Sequence, residues 1–197
     1  MSNKRMTIDE EIKRFFMEIE LSKQILPEDS LPGYLQKLRN HVFEVHNWLD
    51  TDMLVRILSQ IRFEAGEKLD NETWEKINSL IQDALSQIPY TSKRDIIQSY
   101  DDVKAELTAA ITKLNTVRNE FAHKSPNFLL RKYSLNSSRG KLNVRDLLRT
   151  IKTTERLFIE HSESSKACCY YVSKQYEQMN ILNDKKLQKL STPTSTT

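Results

Sequence analysis

Apolar side chains recur along most of the chain at steps of three and four, the spacing that lays them on one face of an α-helix. Thr7 with Glu10 three residues on forms a capping box. The stripe Ile8, Ile12, Phe15, Phe16, Ile19 and Leu26 that follows predicts a first helix, ended by Pro27. A second begins near Pro32 with Leu35, Leu38, Val42, Val45 and Leu49 inward. A third, starting after Asp52, carries Leu54, Ile57, Leu58 and Ile61 as far as Gly66. A fourth follows Asn71 through Trp74, Ile77, Leu80, Ile81, Leu85 and Ile88 to Pro89. The most regular stripe is Tyr100, Val103, Leu107, Ile111, Leu114, Val117 and Phe121. It predicts a buried bundle helix that runs into His123 and is broken by Ser125-Pro126-Asn127. A loop with the turn signal Ser138-Arg139-Gly140 spans Lys124 to Leu142. Asn143 then caps a helix with Val144, Leu147, Leu148, Ile151 and Phe158 inward. Apolar positions continue through Tyr171, Val172, Met179 and Leu182, as one long helix or a broken pair.

The pattern predicts an all-α helical bundle of about six helices with a long C-terminal helix. Three glycines and five prolines are too few turn residues for a β-rich chain of this length. No linker or repeat divides the chain, so residues 1–183 read as one domain and 184–197 as a polar tail expected to be disordered. Nowhere do about 20 apolar residues run together, as a bilayer span requires, and the N-terminus lacks the apolar core of a signal peptide. Cys168 and Cys169 are adjacent and can build neither a disulfide framework nor a zinc cage. The expectation is a cytoplasmic protein with no membrane partner. No glycine-rich phosphate loop and no His/Cys ligand spacing is present, so neither cofactor nor metal is expected. Any chemistry must come from His, Arg, Asn and carboxylates.

Charge changes the picture at one place. Residues 1–117 carry 15 basic and 20 acidic side chains, whereas residues 118–142 carry six basic and one acidic. A local basic patch of this kind attracts polyanions, although a solvated basic loop has the same composition.

The patch opens with Arg118-Asn119-Glu120-Phe121-Ala122-His123. An Arg followed by a His after a short spacing is a common accident, and Arg39 with His46 and Arg156 with His161 share it. Context favours Arg118 and His123. Asn119 follows the arginine, Ala122 precedes the histidine, the segment ends an amphipathic helix, and the basic loop follows at once. At about 100° per residue His123 lies opposite the core stripe, Asn119 lies on the same side, and Arg118 sits near the stripe's edge. A purely structural reading gives Arg118 a carboxylate partner at Asp101 or Asp102, makes Asn119 a helix-end cap and leaves His123 against the helix dipole.

At these residues the chain resembles the HEPN superfamily of small helical bundles. That family's signature is an Arg, a polar residue and then a His, at the end of a core helix. Lys113-Leu114-Asn115-Thr116-Val117 and Phe121-Ala122 resemble the mannitol operon repressor-like branch. The resemblance covers residues 50 to 160 in helical order, and only the six-residue segment is specific. It implies a metal-independent endoribonuclease acting as a toxin or in phage defence, a homodimer with its site at the interface, and an antitoxin or other protein partner. In that role His123 takes the proton from a ribose 2′-hydroxyl, Arg118 holds the scissile phosphate, and Asn119 orients either. Lys124, Arg131, Lys132, Arg139 and Lys141 would contact the RNA backbone. The alternative is a non-catalytic regulatory or partner-binding protein on the same bundle.

Overall fold

The computed structural model describes residues 6–21 and 32–191. Within them the chain is all-helical: α1 (Ile8–Leu21), α2 (Gly33–Ala65), α3 (Asn71–Ser86), α4 (Tyr90–Gln98), α5 (Ala105–His123), α6 (Pro126–Lys132), α7 (Ser138–Ser164) and α8 (Lys166–Ser191), with a 3-10 turn at Gly66–Lys68. Leu26 and Pro27, expected to close the first helix, lie outside the described residues, as do residues 192–197.

The organising element is α2, 33 residues long and packed against α1, α3, α4, α5, α7 and α8. Two expected helices are one here. Asp52 does not start a new helix but sits half-buried in the middle of α2, because neither glycine nor proline interrupts the chain between Gly33 and Gly66. The helix stops at Gly66, whose φ of 56° is left-handed and suits glycine. Leu35, Leu38, Val42, Val45, Leu49, Met53 and Ile57 of α2 meet Leu107, Ile111, Leu114 and Phe121 of α5 and Val144, Leu147, Leu148, Ile151 and Phe158 of α7 in one core. Of the α3 stripe only Trp74 is buried, and Leu80 is exposed, so α3 rides on the periphery.

Two further differences shape the site. The expected loop from Lys124 to Leu142 is largely helical, with α6 inside it and α7 opening at Ser138. Ser137, rather than Asn143, caps α7 by accepting from the Gly140 amide at 3.0 Å. Asn143 lies one turn in and donates to the Lys132 carbonyl at 2.6 Å. Gly140 is a packing residue, not a turn: a Cβ there would fall on the Ser134 backbone. At the C-terminal end the broken pair is the observed arrangement, with Ser165 in extended backbone between α7 and α8. The second of the two helices continues to Ser191, past residue 184 where a tail was expected to begin.

Candidate functional site

Pro126 determines where α5 ends. It holds the preceding Ser125 in extended backbone (φ −62°, ψ 152°), and the Ser125 hydroxyl accepts from the Phe128 amide to cap α6. His123 is therefore the last helical residue of α5, and it is exposed. With Thr112, Thr116 and Asn119 it forms an exposed polar stripe along α5, at steps of four, three and four. Arg94 of α4 borders that stripe through its bond to the Thr112 hydroxyl at 3.2 Å.

Arg118 points to a different side, about 140° around the helix from His123. It is half-buried against α2, its guanidinium carbon 5.3 Å from the centre of the Phe43 ring. Nη1 donates to Asn119 Oδ1 at 3.1 Å, and Nε is buried with no acceptor. Among the described residues no carboxylate pairs with Arg118. Asp102, one of the two partners a purely structural role would use, instead holds Arg56 at 2.6 Å.

Phe43, which Arg118 packs on, belongs to a row Arg39, Phe43, His46 and Asp50 on one side of α2. Asp50 receives the buried Lys93 ammonium at 2.9 Å. The His46 ring stacks on Tyr90 at 4.1 Å, with its Nε2 3.2 Å from Asn115 Oδ1. An amide oxygen only accepts, so Nε2 carries the proton. Burial pushes the His46 pKa down and the Arg118 charge pushes the same way, against the Asn115 bond and the Asp50 charge. The Phe43 ring carries two guanidiniums close to it, Arg118 and, at 5.6 Å, Arg39. Arg39 and His46, set aside on sequence grounds because no basic loop follows them, thus share a seam with Arg118. Their spacing of four, three and four along one helix was the available signal.

Glu120, inside the motif, has a packing role. It accepts from Lys132 Nζ at 2.7 and 2.6 Å and from the Tyr133 hydroxyl at 3.0 Å, which fastens α6 to α5. Lys124, Arg131, Arg139 and Lys141 are exposed, while Lys132 is half-buried in that ion pair. The remaining Arg–His pair is split apart. Arg156 reaches Glu11 of α1 at 2.8 Å, whereas His161 accepts from the buried Arg56 at 3.0 Å. Asp102 also accepts from Ser165 at 2.7 Å, closing a polar network at the α7–α8 junction. A cleft of about 520 Å³ beside it, lined by Phe63, Tyr100, Asp101 and Asp102 among others, includes none of the motif residues. Among the described residues no three His, Cys, Asp or Glu side chains gather as metal ligands would, and no helix is long and apolar enough to cross a membrane.

Comparison of the chain with protein-family models, curated proteins and solved structures returns no match.

Proposed function

We propose that the chain is a HEPN-like, metal-independent endoribonuclease of toxin or defence type, working in the cytoplasm with Arg118, Asn119 and His123 as its reactive set. One observation carries the reading: His123 and Asn119 stand exposed on one stripe at the end of α5, while the neighbouring Arg118 has no carboxylate partner among the described residues. An arginine in that state is poised for an external anion. His123 would act as general base on a ribose 2′-hydroxyl, and Arg118 would hold the phosphate and stabilise charge on the pentavalent transition state. Cleavage would leave a 2′,3′-cyclic phosphate and a 5′-hydroxyl.

Arg118 and His123 of one helix diverge too widely to meet one phosphate with ease. Two copies packed stripe to stripe across a two-fold axis would bring His123 of one toward Arg118 of the other. The exposed Lys124, Arg131, Arg139 and Lys141 would position RNA through its phosphates, with an antitoxin-like protein holding the activity in check. Incubation of the purified protein with total RNA in EDTA tests the reading, and intact RNA in every fraction would remove intrinsic nuclease activity.

A non-catalytic regulator on the same bundle is the second reading. It is favoured by the packing of Arg118 on Phe43 and its bond to Asn119, which would make the motif a lock for the α2–α5 seam. Under it the wild type cleaves nothing, and His123→Ala changes only affinity for a partner or a second copy.

A further inference from the structure

We infer that Arg39 is a second phosphate-binding residue, which with Arg118 forms a two-arginine anion clamp over Phe43 for an RNA phosphodiester. The inference deepens the nuclease reading and rests on it for the identity of the anion. Its basis is the register of α2 against α5. His46 lies opposite Asn115 and Phe43 opposite Arg118, so three residues back on α2 is three residues on along α5. The two helices are therefore antiparallel, and continuing that register one further turn sets Arg39 level with Ala122, next to His123. Ala122 offers only a methyl group there and no side chain that could pair with Arg39.

The charges along the seam point the same way. At its closed end Asp50 and Lys93 neutralise each other, and His46 with Tyr90 and Asn115 fills the middle. At its other end Arg39 and Arg118 lie 5.6 and 5.3 Å from one ring centre, so their guanidiniums are no farther apart than the sum of those distances. Neither has a carboxylate partner among the described residues, and the Arg118 Nε is buried without an acceptor. Of the acids nearest in sequence, Glu120 is held by Lys132 and Tyr133, and Glu44 makes no ion pair with either arginine among the described residues. Two like charges held on one aromatic ring repel, and a bridging phosphate relieves that repulsion while accepting from both forks. Phe43 keeps the two side chains extended and lowers the ordering cost of binding.

The test uses the full chain and a 2′-O-methyl oligoribonucleotide, which binds but cannot be cut by 2′-hydroxyl attack. Arg39→Ala should weaken binding about tenfold or more, the loss expected for a charge-assisted contact. It should also lower the log–log salt slope by about 0.7, the single-strand value per phosphate contact. Arg39→Lys should recover the slope but not the full affinity, because an ammonium cannot grip bidentately. Arg14→Ala, on the outer face of α1, is the control and should change neither. Thermal melting of each variant confirms folding. An Arg39→Ala variant with wild-type affinity and slope overturns the inference, as does a wild type that binds no oligoribonucleotide. Parallel assays on cleavable RNA separate the two claims. Arg39-dependent binding without cleavage keeps the clamp and removes the nuclease, whereas cleavage with KM and kcat unmoved by Arg39→Ala keeps the nuclease and removes the clamp.

Discussion

At the scale of single residues, exposure separates the chain's histidines by what each can do. His123 is exposed at a helix end, so His123→Ala should leave the melting temperature unchanged and lower cleavage by roughly 10²–10⁴. Arg118→Ala should lower it by roughly 10²–10³. His161 is a packing residue: His161→Ala strips from the Nε of Arg56, a residue 1 % exposed, its acceptor among the described residues, and should cost about 1–3 kcal/mol in denaturant unfolding. Cleavage per folded molecule should survive that change. His123 and Asn119 were legible because exposure at a helix end follows from angular position alone. Arg39 was not, because its significance depends on which helix α2 faces and in what register, and a single sequence does not carry that information. Glu120 was illegible for the same reason. Its partners Lys132 and Tyr133 reach it only because α6 folds back along α5.

Among the elements, the stripes of α2, α5 and α7 were legible because dense apolar periodicity fixes a helix whatever surrounds it. The errors fell where a polar residue has two local uses. Asp52 and Asn143 both look like N-caps, yet Asp52 continues a helix with no breaker near it and Asn143 bridges α7 to α6. Gly140 looks like a turn and is a close helix contact. Gly140→Ala should therefore destabilise by about 1–3 kcal/mol as an overpacked site, read as a drop in the midpoint of denaturant unfolding. The α7–α8 junction also makes the fold sensitive to acid. Burial first, then the Arg56 charge, lowers the His161 pKa, and burial lowers those of His46 and His41 as well. The unfolded chain thus binds more protons than the native one once the pH falls below about 6.5, and stability should decline from there downward. Partial burial raises the Asp102 carboxyl, but the Ser165 bond and the Arg56 charge outweigh it and leave it below the usual range. Its contribution is present above the ordinary Asp range and is lost only as the pH falls through the lowered value. A melting temperature that is flat from pH 7 to pH 5 would contradict the histidine assignment.

For the whole molecule, the charge division, the exposed polar stripe of α5 and the divergence of Arg118 from His123 support the proposed dimeric RNA-cleaving assembly. Light scattering at micromolar concentration should return a dimer, and a monomer would remove the shared site. Mixing Arg118→Ala with His123→Ala protein should restore activity that neither has alone, because one of the two interfacial sites then holds an intact pair. If both residues of a site came from one chain, mixing would restore nothing. The most direct test is the end chemistry of RNA cut in EDTA by wild-type protein and by folded His123→Ala. The wild type should leave 2′,3′-cyclic phosphate and 5′-hydroxyl ends, and His123→Ala should leave RNA almost intact. Equal cleavage by the two proteins, or 3′-hydroxyl ends from the wild type, would contradict a nuclease built on Arg118 and His123.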